Sequence, residues 1–319
     1  MDFTALIRLS NNLDALTVQD LQQSAAGRSA LIMHQSDLPA AGIADEYRQR
    51  LAQANQQLQS AVESLETALL TMKQHVSQQI DQQGQIWMQR NYAAYEKQLS
   101  TRFYQTPEAL GLHRNRPTVL MPEVAEMLKG RVRGYSDWHY PALIVHPMDE
   151  PFMDIMVACD PLYVVDESQW LLEPVLGRYT EAYQNRLRSY LIEESLDQPL
   201  LSKLPDQQLG FALVYNYLDY RPFELVKNYM SELYAKLAPG GVLAMTFNDC
   251  DRYQAITSVE QGLTGYTPGR LVRGWANFLG FEEVFCHQDR SNSVWIEFKR
   301  PGTLTSLRGG QALARINPK

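Results

Sequence analysis

A chain of 319 residues with 45% hydrophobic and 10% aromatic side chains has room for two domains, or for one domain with a large extension, and can bury a sizeable core. Its formal charge of −7 argues against a general grip on nucleic acid, although a local basic patch is compatible with it. Three cysteines, Cys159, Cys250 and Cys286, lie far apart with no CxxC pair, which points to a reducing compartment and to no zinc site. No apolar run reaches the roughly 18 residues of a membrane helix, and "MDFTALIRLSNNL" has no signal-peptide pattern, so the expectation is a soluble, cytoplasmic protein.

From Asp45 to about Tyr104 the chain holds almost no Gly or Pro and much Gln. Leu51, Leu58, Leu65 and Met72 recur every seven residues, with Val62, Leu69 and Val76 between them at the four-then-three spacing of a heptad seam. Asn55 takes the seam position one heptad before Val62, where a buried polar group fixes register at a cost in stability. Ala54, Ala61 and Ala68 flank the seam and permit close helix approach. After Val76 the pattern slips to Ile80, and Gly84 weakens the helix near Trp87. Two readings stand: a coiled coil that makes a homo-oligomer through residues 45–104, or a helical hairpin packed within the chain. In both, residues 1–105 are an interaction region without chemistry of their own.

Residues 106–140 are shorter-patterned and punctuated by proline. Arg114, Arg116, Arg131 and Arg133 fall close to Tyr135, Trp138, His139 and Tyr140, so the stretch reads either as a lid that stacks on a ligand or as a linker whose aromatics cover the edge of the next domain.

From Pro141 short apolar runs alternate with helical patterns. "ALIV" (142–145), "PLYVVD" (161–166), the weaker "RSYLI" (188–192) and "FALVYN" (211–216) read as strands. A helix opens with Pro222 and carries Phe223, Val226, Met230, Leu233 and Leu237 as one apolar stripe. Ala238-Pro239-Gly240-Gly241 ends it, because proline cannot continue a helix and glycine accepts the left-handed turn. "VLAMTF" (242–247) is then apolar on both faces, as a central parallel strand requires. A last helix, "PGRLVRGWANFLG", leads to "FEEVFCH" and "SVWIEFKRPG", joined by so few residues that the two strands must be antiparallel. The fold class is α/β with a largely parallel sheet.

In "GFALVYNYLDYRPFELVKNYMSELYAKLAPGGVLAMTF" and in the stretch from "LGFEEVF" to "SVWIEF", residues 141–300 resemble class I S-adenosylmethionine-dependent methyltransferases. The resemblance covers about half the chain. It implies a Rossmann-like seven-stranded sheet closed by an antiparallel hairpin, with S-adenosylmethionine lying across the carboxyl ends of the first strands. It also implies a glycine-rich loop after "ALIV", and here the chain departs from the family: "HPMDEPFMD" (146–154) has no glycine, two prolines and three carboxylates. The acid expected at the end of the second strand is present as Asp166, with Glu167 beside it. The adenine-contacting acid that precedes the family's "LP" element has no clear match before Leu204-Pro205, since Asp197 and Asp206 lack its spacing. The cofactor-contact candidates are therefore His146, Asp166, Glu167 and Asn216.

For the transfer step the candidates are Asn216 and Asp219 after the fourth strand, and Asn248 and Asp249 after the fifth. The same residue types also cap turns through local hydrogen bonds. Three functions remain. One is methyl transfer to an unknown acceptor. Another is a catalytically silent methyltransferase fold that assembles with itself or a protein partner through the N-terminal helices, and the last is nucleic-acid binding through residues 114–140. An open cavity beside Asp166 would favour the first, and Met148, Phe152 or Met153 filling that volume the second. Residues 301–319, with Gly-Gly and basic side chains, read as an extension beyond the fold.

Overall fold

The computed structural model describes residues 3–16, 23, 45–100, 122–147, 152–195, 197–261, 264–288 and 293–305. The chain divides into two compact units, Met1–Gln85 and Ile86–Lys319.

The first unit holds helix α1 (Phe3–Asp14) and most of helix α2 (Asp45–Ser100). With 56 residues α2 is about 84 Å long at the helical rise of 1.5 Å per residue. Gly84 is buried inside it and does not interrupt it. Helix α1 buries Phe3, Leu6, Ile7 and Leu13, the spacing of one helical face. Lys73 of α2 donates to the Leu16 carbonyl at 3.1 Å and approaches Asp14 at 4.0 Å, which brings the end of α1 beside α2. Along α2, Leu58, Val62 and Leu69 are half-buried and Val76 and Ile80 buried, whereas Leu65 is 56% and Met72 51% exposed. The reason is helical geometry. Val62, Leu69 and Val76, seven residues apart, share the covered stripe, and Leu65 and Met72, offset from them by three or four residues, lie about 40–60° further round on the exposed side. None of the described helices is long and apolar enough to cross a membrane.

The second unit is built on a seven-stranded sheet of order β3-β2-β1-β4-β5-β7-β6. Its strands are β1 (Ala142–Val145), β2 (Leu162–Asp166), β3 (Leu187–Leu191), β4 (Leu209–Val214), β5 (Leu237–Asn248), β6 (Glu282–Gln288) and β7 (Ser293–Lys299). The first five run parallel and β7 is antiparallel to both β5 and β6. This is the sheet and closing hairpin expected from the sequence. The central strands are apolar on alternate sides because helices cover both faces. Leu143, Val145, Ala212, Val214, Leu243 and Met245 pack with α7 (Phe223–Lys236) and α9 (Gly269–Leu279). Ala142, Ile144, Phe211, Leu213 and Ala244 pack on the other face with α3 (Pro122–Tyr135), α4 (Met153–Met156) and α5 (Gln169–Leu176). Two further short helices lie among the described residues, α6 (Glu181–Gln184) and α8 (Tyr253–Glu260).

Two local features differ from expectation. Ala238-Pro239-Gly240-Gly241 does end α7, but it continues as strand, with Leu237 paired to Leu209 ahead of an irregularity in the ladder. Gly240 adopts the left-handed conformation, φ 84°, and a side chain there would collide with the backbone of Thr303 and Leu304. The second difference lies in residues 106–140. Arg114 and Arg116 fall outside the described residues, and 122–135 form α3, which covers the sheet. Arg131 sends Nε and Nη2, each at 2.6 Å, to the fully buried Glu297 of β7, and its guanidinium lies 3.7 Å from the Phe285 ring centre. The same carboxylate accepts from Tyr135 Oη at 2.7 Å and Trp295 Nε1 at 2.9 Å, and the Tyr135 ring stacks on Phe211 at 5.1 Å.

This cluster gives a stability prediction. Glu297→Ala strands the Tyr135 and Trp295 donors and removes Arg131's partner, so unfolding free energy should fall by about 2–4 kcal/mol. Urea denaturation reads it as a lower midpoint at unchanged slope. A wild-type midpoint would show that α3 is held by packing alone.

Candidate functional site

In a parallel α/β sheet the carboxyl ends of the strands form the crevice where ligands sit. Here those ends carry His146 after β1, Asp166 and Glu167 at β2, Glu194 after β3, and Asn216 and Tyr217 after β4. His146 (φ 58°) and Asn216 (φ 51°) both take the left-handed conformation, which ends each strand abruptly.

His146 Nδ1 lies 2.8 Å from Asp166 Oδ2, and Asp166 Oδ1 accepts the Ser168 N–H at 2.9 Å. Both side chains are buried, His146 at 2% and Asp166 at 0% exposure. Glu167 holds Arg221 Nη2 with both oxygens at 2.8 Å. On its other side Arg221 donates Nε to Glu194 Oε1 at 2.9 Å, and its guanidinium lies 4.3 Å from the Tyr217 ring centre. Glu194 also accepts from Tyr95 at 2.8 Å, from Tyr229 at 3.3 Å and from Tyr217. Arg221 is 0% exposed. One guanidinium is thus sealed between two carboxylates and a cluster of phenols.

A single cation cannot neutralise two buried carboxylates equally. Burial pushes the Glu167 carboxyl up from the ordinary 4.5 to about 8; Arg221 opposes this, while Glu194 and Asp166 add to it. Burial acts the same way on Glu194, but Arg221 and the hydrogen bonds from Tyr217, Arg221 and Tyr95 outweigh it and bring that carboxyl below its ordinary value. Burial raises the Tyr217 and Tyr229 phenols, so they remain donors. Glu194 is the ionised partner, and Glu167 carries a proton through much of the neutral range.

The remaining candidates form a second group. Asp219 accepts from Thr246 Oγ1 at 2.8 Å and Ser293 Oγ at 2.6 Å, and Thr246 Oγ1 accepts the Asn216 N–H at 2.6 Å, which ties the ends of β4, β5 and β7 together. Asn248 donates its amide to the Gly265 carbonyl at 3.2 Å. Asp249 Oδ1 accepts from Gly269 N at 2.8 Å and Asp251 N at 3.1 Å, capping the start of α9. A Cβ on Gly269 would lie 2.7 Å from that oxygen, so the residue must be glycine for the cap to close. Asp219, Asn248 and Asp249 are each at most 4% exposed and engage the protein's own groups. Burial raises the Cys250 thiol, which stays protonated.

Sequence reading missed Glu194 and Arg221. An acid after the third strand was there to be found, ahead of Leu204-Pro205, but "RSYLI" is a weak strand pattern and left Glu194 unassigned. Arg221 was hidden as the residue before a helix-opening proline. Tyr95, on α2, gave no signal.

As arranged, these side chains do not fit S-adenosylmethionine. Three acids at the strand ends are buried, Asp166 at 0%, Glu194 at 1% and Glu167 at 7% exposure, and a ligand reaching the two glutamates would have to displace Arg221. Phe152 and Met153 are also fully buried, Phe152 edge-on to Tyr215 at 5.0 Å; Met148, Asp149 and Glu150 lie outside the described residues. Asp154 instead helps line a cavity of about 450 Å³ with Trp138, Asp160, Tyr183 and Arg186, where Trp138, Asp160 and Arg186 precede their strands, at the opposite end of the sheet.

The proton on Glu167 has a measurable consequence. Folded Glu167 keeps its proton to about pH 8, whereas the unfolded chain releases it near 4.5. The folded state therefore binds more protons in that window, and stability falls as pH rises through it. Glu167→Gln should remove this component, so the variant's unfolding free energy should change less than wild type between those limits. Parallel curves would place the proton elsewhere.

No protein-family model and no curated protein matches the chain. Among solved structures it is similar to an S-adenosylmethionine-dependent methyltransferase from Mesorhizobium loti, at 13% identity over 55% of this chain and 98% of that one, TM-score 0.43. It is also similar to the N-methyltransferase NodS from Bradyrhizobium japonicum WM9 in complex with S-adenosyl-L-homocysteine, at 14% identity over 60% and 97%, TM-score 0.43. A third is the [4+2]-cyclase SpnF, at 13% identity over 57% and 83%, TM-score 0.44. Likeness at this level says nothing of activity, and the fold stands on the strand order and the closing hairpin.

Proposed function

We propose that this chain is a methyltransferase-fold protein whose cofactor rim is shut by its own side chains, and that it works as an assembly module through its N-terminal helices. The observation that carries this reading is Arg221, fully buried between Glu167 and Glu194. Asp166, Glu167 and Glu194 lie at the strand ends, but each faces an internal partner. Removing one partner of a buried ion pair costs about 3–5 kcal/mol. A ligand that had to displace Arg221 would bear that cost, which takes an affinity of about 1 μM (−8.2 kcal/mol) to about 1 mM (−4.1 kcal/mol). The competing reading is methyl transfer from S-adenosylmethionine to an unknown acceptor, and the retained carboxylates at the ends of β2 and β3 favour it.

Titration calorimetry of the full-length protein with S-adenosylmethionine and S-adenosylhomocysteine separates the two. The closed rim predicts no saturation below about 1 mM ligand. Micromolar binding that disappears in Asp166→Ala would establish a working cofactor site instead.

Assembly rests on an exposed apolar row of α2. Leu65 and Met72 are more than half exposed there, with Ala61 and Ala68 exposed beside them. An apolar face of this kind on a long helix fits a second copy of the chain. In sedimentation velocity the wild type should run as a homo-oligomer and the Leu65→Asp, Met72→Asp double variant as a monomer. A monomeric wild type would remove this part of the proposal.

A further inference from the structure

The cavity of about 450 Å³ lies at the amino-terminal end of the sheet, away from the rim. Its charged walls come from three separate places: Asp154 in α4, Asp160 just before β2 and Arg186 just before β3. The backbone of Arg186 is pinned, since its carbonyl accepts the Leu162 N–H at 3.0 Å and its N–H donates to the Tyr183 carbonyl at 2.9 Å. Its guanidinium lies 5.8 Å from the Tyr183 ring centre and forms no ion pair among the described residues. Asp154 Oδ1 accepts the Tyr179 hydroxyl at 2.6 Å, and Asp154 likewise forms no ion pair among the described residues. A guanidinium and a carboxylate thus stand on the walls of one cavity without pairing with each other.

Trp138 and Tyr183 supply aromatic walls. The indole is tilted against His139 at 3.9 Å, and His139 Nδ1 lies 2.6 Å from Asp137 Oδ1, so the ring stands on a held support. Aromatic faces attract cations. Two carboxylates against one guanidinium also leave the lining with an excess of negative charge. A simple anion would face both aspartates, and a simple cation would leave Arg186 unmatched. The volume falls within the range of about 300–1,000 Å³ usual for small-molecule sites.

We propose that this cavity binds a basic α-amino acid, its carboxylate on Arg186, its α-ammonium on Asp154 and its cationic side chain toward Asp160 and the aromatic walls. The site shares no residue with the rim, so it stands or falls apart from whether the rim is closed.

Two-dimensional ¹H–¹⁵N NMR of the full-length protein tests this through the Trp138 indole N–H, assigned by its loss in Trp138→Phe. The probe is L-arginine, whose small size sets the expected dissociation constant at about the millimolar range. It should shift the Trp138 indole resonance saturably. Agmatine, which is arginine without its carboxylate, should bind roughly fivefold more weakly, and Arg186→Ala should weaken arginine by the same factor, that of one partly exposed charge pair. Asp154→Asn should weaken arginine but not Nα-acetylarginine, which has no α-ammonium. Asp154 and Arg186 are both exposed, so neither substitution disturbs the core. No saturable shift up to about 20 mM arginine overturns the site. Agmatine binding as well as arginine, or an unchanged affinity in Arg186→Ala, overturns the assignment of the carboxylate and with it the amino-acid ligand.

Discussion

The arrangement of the α/β unit at its functional end depends on one buried guanidinium. Arg221 reaches the strand ends from just before α7 and joins the loop after β2 to the segment after β3 through Glu167 and Glu194. Low local polarity makes such a cluster costly unless every member is satisfied, and three phenols complete the coordination of Glu194. The result is a rim in which acids at the strand ends serve the protein's own cohesion. The His146–Asp166 pair acts alike one strand over, tying the end of β1 to the end of β2.

A second buried carboxylate fixes the opposite flank. Glu297 is the one charged side chain of β7 that is fully buried, and Arg131, Tyr135 and Trp295 converge on it. It draws α3 onto the sheet beside Phe211, so a stretch rich in cations and aromatics becomes a structural cover. In both clusters an arginine is engaged bidentately or from both ends, a geometry that lysine could not supply.

The long helix follows a different rule. Its seven-residue repeat suggested one seam, yet only one row of it is covered, through Val62, Leu69 and Val76 and on to Ile80. Leu65 and Met72, equally regular in the sequence, turn outward. The repeat thus has one covered row and one exposed row.

What the sequence determined by itself was the local and near-local order. Pro222 and the Ala238-Pro239-Gly240-Gly241 junction bounded α7, apolar strands marked a sheet covered on both faces, and a connection too short for a crossover made the last two strands antiparallel. Asp166 at the end of β2 was legible for the same reason, because its position follows from a strand boundary. Only the tertiary structure decided what that acid faces. Arg221 and Glu167 are 54 residues apart, Tyr95 and Glu194 are 99, and Arg131 and Glu297 are 166. Side-chain pairing over such separations leaves no periodic trace in a single sequence, because it is set by which strand ends the sheet order brings together. The pattern of residues could supply acids at the strand ends; that Glu167 and Glu194 share an arginine was settled by packing.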